Sequence, residues 1–108
     1  MVTQVIEPRL VDLVAKLENT PDLNEGLQRL LHREVRRRLN RYKLTDRQLG
    51  EKYEMTFGEF QQQEIVKREG YSFEVETDFC DWEMAITGIR SLEGYLTDNL
   101  RKSEPKIR

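Results

Sequence analysis

The chain has 108 residues, with 37% hydrophobic and 35% charged positions and a formal net charge of −2. That is room for one domain with a modest core, and it leaves apolar stripes for a second surface to cover. No apolar run approaches the roughly 18 residues of a membrane span, the N-terminus lacks the apolar block of a signal peptide, and the single Cys80 excludes an internal disulfide framework or a thiolate zinc cluster. A reducing cytoplasm is the expected compartment.

Charge is segregated along the chain. Between Arg29 and Lys43 stand seven bases and the lone acid Glu34, whereas Leu44 to Glu104 holds 14 acids and 7 bases. Such asymmetry suits an electrostatic face for a partner, or two halves or two subunits that attract each other; a plain solvated helix surface is the competing explanation.

Val2 to Glu7 is β-prone but short, and Pro8 halts any ladder there, so it reads as a strand or arm. Pro8 also suits a helix start, and Leu10, Leu13, Val14 and Leu17 share one face of a helix over Arg9–Glu18. After the break at Asn19-Thr20-Pro21-Asp22, a spine helix is expected over Leu23–Tyr42. Its apolar stripe runs Leu23, Leu27, Leu30, Leu31, Val35, Leu39, Tyr42, with arginines around the rest. Capping boxes at Thr45-Asp-Arg-Gln48 and Thr56-Phe-Gly-Glu59 predict short helices over Asp46–Tyr53 and Phe57–Arg68, the second with Gly70 as its stop.

Tyr71 to Thr77 alternates apolar and polar residues, which predicts a strand or an extended aromatic arm. Asp78 is then the expected N-cap of a last helix, Phe79 to about Lys102, with Phe79, Trp82, Ile86, Ile89, Leu92, Leu96 and Leu100 as its stripe. Gly88 and Gly94 within it suggest close helix contact or marginal stability. Residues 104–108 are expected to fray, which leaves one helical domain over 1–103.

Little here supports catalysis. Glycines are scattered, so no phosphate-cradling loop forms, and His32 has no companion ligands or nucleophile beside it. The acids Glu74, Glu76, Asp78, Asp81 and Glu83 lack the spacing and turn glycine of a calcium loop. No catalytic residue, cofactor or metal is expected. Leu44 to Phe60 has the pattern of a helix-turn-helix, although Glu59 and Glu64 would face the phosphates. The order strand, helix, break, longer helix at the front also suits a ribbon-helix-helix dimer, but without a base on its strand.

The segments Arg47-Gln-Leu-Gly-Glu-Lys-Tyr-Glu-Met-Thr-Phe-Gly-Glu-Phe60, Gly70-Tyr-Ser-Phe-Glu-Val-Glu-Thr-Asp78 and Asp81-Trp-Glu-Met84 together resemble a group of small prokaryotic antitoxin-like proteins of toxin–antitoxin gene pairs. Their recurrent pattern is a Lys-Tyr-Gly-Met-Ser/Thr-Phe-x-Glu-Phe block followed by a Trp-Glu helix. The resemblance covers about half the chain, and Glu54 stands where those proteins carry glycine. It implies a non-enzymatic protein that binds and neutralises a toxin-like partner.

The sequence expectation is therefore mainly α: about five helices, with a long basic spine, two short turn-linked helices, a long C-terminal helix and a short N-terminal strand or arm. The expected partner-binding residues are Tyr71, Phe73, Trp82, Ile86 and Ile89, favoured types for interface anchors. Arg33, Arg36, Arg37 and Arg41 form a candidate face for nucleic acid or an acidic partner. A homodimer is expected, and a DNA-binding regulator is the alternative function.

Overall fold

The computed structural model describes residues 5–100, which form five helices and, among those residues, no strand: α1 (Pro8–Glu18), α2 (Leu23–Tyr53), α3 (Phe57–Gln62), α4 (Ile65–Arg68) and α5 (Phe73–Asp98). The expected mainly α architecture of about five helices is what the chain adopts. Of the expected N-terminal strand, residues 1–4 lie outside the described residues. Val5–Glu7 carry no regular structure and lead into Pro8 at the first turn of α1. The tail at 104–108 also lies outside them.

The spine helix is longer than its apolar stripe suggested. One helix of 31 residues runs through Tyr42 to Tyr53, with Asp22 as its N-cap accepting from the Glu25 N–H at 3.2 Å. Thr45 does not cap a new helix. Its hydroxyl donates to the Arg41 carbonyl at 3.3 Å, a bond made from inside a helix, and no proline or glycine interrupts the chain there. Glu54 ends α2 in the left-handed region at φ 56, so the turn keeps the geometry a glycine would take.

Thr56 caps α3 with both bonds of the box in place: its hydroxyl accepts from the Glu59 N–H at 3.1 Å and Glu59 accepts from the Thr56 N–H at 2.9 Å. The helix expected over Phe57–Arg68 is instead two short ones. Glu64 at φ 50 breaks the line between Gln62 and Ile65, and this turn lets both Phe60 and Ile65 reach the interior.

The extended aromatic arm expected over Tyr71–Thr77 is helical from Phe73 onward. Ser72 is the cap, its hydroxyl accepting from the Val75 N–H at 3.3 Å, and Glu74 and Glu76 stand in the first turn, where acids favour the helix dipole. Helical phasing also extends the buried stripe backward, since Val75 lies seven residues before Trp82. Asp78 is thus inside α5 and serves α2: it accepts from Lys52 Nζ and from the Tyr53 hydroxyl, both at 2.6 Å. The helix ends at Asp98; of the expected extension, Arg101 and Lys102 lie outside the described residues.

The two long helices are antiparallel. Pairings run Lys52 to Asp78, Asp46 to Trp82 and Tyr42 to Gly88, so α2 numbers fall as α5 numbers rise. At their joined end α3 and α4 fold over the seam and close a cluster in which Trp82 is fully enclosed and Phe60 is 1% exposed. The Phe60 ring lies 4.9 Å from Tyr53 in an edge contact and 5.2 Å from Trp82. The Trp82 N–H, which burial would otherwise orphan, donates to Asp46 Oδ1 at 2.8 Å.

At the other end α1 packs on the N-terminal half of α2 and makes no contact with α5. The joint is polar as well as apolar. Buried Glu18 accepts from both terminal nitrogens of Arg33 at 2.8 and 2.6 Å, and Arg29 donates to the Glu18 carbonyl at 2.9 Å. Val14 meets Gly26, whereas Leu10, Leu13 and Leu17 are 47–62% exposed. The single apolar stripe read on α1 therefore divides into a packed side and an open one.

Candidate functional site

Two consecutive left-handed residues, Gly70 at φ 71 and Tyr71 at φ 57, turn the chain from α4 into α5. The Tyr71 N–H donates to the Val66 carbonyl at 2.9 Å and holds the corner shut. Between this corner and the flank of α5 opens a groove of about 530 Å³. Phe60, Ile65, Val66, Tyr71, Phe79 and Cys80 supply its apolar lining, and Glu64, Glu76 and Lys67 stand at its edge with Gln61. The Tyr71 ring is 58% exposed, and Phe73, on the first turn of α5 next to the groove, is 85% exposed.

The five expected anchors separate accordingly. Tyr71 and Phe73 are surface groups at one corner. Trp82 is enclosed by its own chain and offers no surface in this fold, because α3 closes over it; its part is to fix α5 against α2. Ile86 is half-buried, packs on the aromatic cluster and lines a second cleft of about 650 Å³ with Asp46, Thr56, Gln61 and Arg90. Ile89 is half-buried within the stripe that faces α2. Ile65 and Val66, which sequence reading did not mark, complete the groove, their only sequence signal being an apolar pair after Glu64; Cys80, whose place beside Phe79 and Trp82 suggests a small buried filler, is instead exposed on its lining.

The basic face is partly neutralised. Arg33 is held by Glu18, and Arg37 donates to both oxygens of Glu34 at 3.0 and 2.7 Å while Arg38 adds a third bond at 2.7 Å. Hydrogen bonds from Arg37 and then Arg38 draw the Glu34 carboxyl down to about 2, and the Arg33 bond likewise lowers Glu18. Arg36 and Arg41 are exposed and lack an ion-pair partner among the described residues.

The polar network at the closed end has a structural character. Burial is the largest influence on Tyr53 and, with its bond to Asp78, pushes the phenol up to about 12. Burial alone would raise Asp78, but hydrogen bonds from Lys52 and Tyr53 outweigh it and hold the carboxyl below its ordinary value. Those bonds to Asp78 and Glu74 raise the Lys52 ammonium. Lysine, tyrosine and carboxylates thus clasp the end of α2 to the start of α5. His32 lies on α2 far along the chain from Cys80, and no contact joins them.

The chain matches no family model, no curated protein and no solved structure. What it does is therefore argued from its own surface. Among the described residues no group of three or more His, Cys, Asp and Glu is gathered as a cation site, and no helix is long and apolar enough to cross a membrane.

Proposed function

We propose that this chain is a non-enzymatic, antitoxin-like protein that self-associates and neutralises a toxin-like partner protein by binding it. The single observation that carries the reading is the open apolar groove at the α4–α5 corner, with Tyr71 on its wall, Phe73 beside it and the carboxylates of Glu64 and Glu76 along its edge. Exposed aromatics beside a concave apolar surface are the usual form of a hot spot, and acids at the rim select a partner segment with flanking bases. The expected extended arm is replaced by a rigid corner, so less ordering entropy opposes binding.

The experiment is co-expression with the adjacent gene's product. A complex should form, and Tyr71→Ala and Phe73→Ala should each weaken it at least ~10-fold, as for exposed aromatic anchors, with helix content unchanged. A soluble, active neighbour that ignores this protein overturns the reading.

The DNA-binding alternative rests on Arg36 and Arg41, the two members of the expected basic face that no carboxylate engages among the described residues. The turn-linked helices lend it little, since α3 is only six residues long and α4 only four, short of a recognition helix. A salt-sensitive shift of upstream DNA that Arg36→Glu weakens would favour it; no shift at low salt removes it.

A further inference from the structure

The helix α5 has a second face. Phe73, Cys80, Met84 and Tyr95 recur at two, three and six turns along its outward side, opposite Val75, Trp82 and Ile86, which pack inward. Met84 is 60% exposed, and around it a shallow depression of about 510 Å³ is lined by Tyr42, Cys80, Glu83, Met84, Thr87 and Gly88. Thr87 is exposed and small enough to admit another helix closely. Acids border this stripe, Glu76 and Glu83 on one side and Asp81 on the other.

The same chain carries the complement. On α1 the open face of Leu10, Leu13 and Leu17 is bordered by Arg9 and Lys16, whose present partners Glu7 and Asp12 are exposed neighbours that hold them weakly. At 11 residues α1 is about 16 Å long, shorter than the roughly 22 Å from Cys80 to Tyr95 on α5.

We infer that the chain pairs with a second copy of itself by seating α1 of each protomer on the outward face of α5 of the other. Both contacts form twice about one two-fold axis, leucines against Cys80, Met84 and Tyr95, and Arg9 and Lys16 against the acids of α5. This specifies the self-association in the function proposed above; its footprint adjoins the corner groove at Cys80 and Glu76, whereas Leu13 and Met84 lie outside that groove.

The test is sedimentation and cross-linking of the full chain. Wild type should sediment as a dimer, and Leu13→Glu and Met84→Glu should each raise the dissociation constant at least ~100-fold, since symmetry places every substitution in two contacts. Far-UV circular dichroism should be unchanged, because both side chains are exposed in the protomer. In a Cys80→Ser background, a Leu13→Cys chain and a Met84→Cys chain should form a covalent dimer when mixed and oxidised, and neither should do so alone. Cross-linking of the Leu13→Cys chain with itself would mean α1 against α1, and of the Met84→Cys chain with itself α5 against α5. Either result, or a dimer that the mixture fails to trap, overturns this interface alone. A monomer at every concentration overturns self-association altogether and leaves partner capture standing.

Discussion

Gly88 and Gly94 lie on the same helix two turns apart, yet replacing each by alanine should move stability in opposite directions. A Cβ at Gly88 would sit 2.5, 2.6 and 3.0 Å from the Cε2, Cδ2 and Cζ atoms of the Tyr42 ring, whereas a Cβ at Gly94 meets nothing within 4 Å. Carbon atoms rest at roughly 3.5–4.0 Å, so the half-buried ring must retreat by about 1 Å. Overpacking of that order costs about 1–3 kcal/mol, and the helix preference of alanine returns up to ~1 kcal/mol. Gly88→Ala should therefore lose about 1–2 kcal/mol and Gly94→Ala gain up to ~1 kcal/mol. At roughly 4–8 °C per kcal/mol for a domain near this size, thermal melts followed by circular dichroism should separate the two variants by at least about 4 °C. In a Tyr42→Ala background the Gly88→Ala penalty should vanish, giving a coupling above ~1 kcal/mol in the double-mutant cycle. A Gly88→Ala protein that melts higher than wild type would refute the close contact of α2 and α5.

Removing the acceptor of the buried indole, Asp46→Ala, should cost about 1–3 kcal/mol in urea unfolding, with Asp46→Asn recovering part of it; no change would deny the bond a role. Glu54→Gly should stabilise by about 0.5–1 kcal/mol, because a left-handed residue with a side chain is strained there; a lower urea midpoint would count against the φ of 56. The depressed carboxyl of Glu34 sets an acid dependence. The unfolded chain takes up that proton first, so the stabilisation is present above the ordinary carboxylate range and is lost as pH falls toward about 2. Glu34→Gln should flatten the acid limb of the stability curve, and an unchanged limb would contradict the Arg37–Arg38 clasp.

Most of the architecture is legible in local signals, and the misreadings share a cause. Pro8, Asn19, Asp22, Thr56 and Gly70 act where the sequence places them because each cap or turn is satisfied within a few residues. Thr45-x-x-Gln48 has the letters of a capping box, but a box needs an interrupted chain, and the burial of Trp82 against Asp46 keeps α2 continuous there. Tyr71, Phe73 and Val75 alternate over too short a stretch to separate strand from helix. The better signal is Ser72 followed by first-turn acids, with Val75, Phe79 and Trp82 at helical spacing. Of the candidate site, Tyr71 and Phe73 could be named from residue type alone. The groove they border could not, because it depends on left-handed turns at Glu64 and Tyr71, positions where neither residue type announces that conformation. The role of Trp82 depends on an acceptor 36 residues away, beyond any local pattern.

Since α1 touches α2 and not α5, nothing but α2 itself obliges the N-terminal hairpin and the aromatic end to melt together. Amide exchange should then be graded along α2, slowest from Leu39 to Tyr53 and faster toward Leu23, where the bonds of Arg33 and Arg29 to buried Glu18 and the Val14–Gly26 contact hold the N-terminal hairpin closed. Opening of that hairpin would leave the aromatic end folded, giving the molecule a hinged lever whose rest position is set by Glu18 and its two arginines together with the Val14–Gly26 contact.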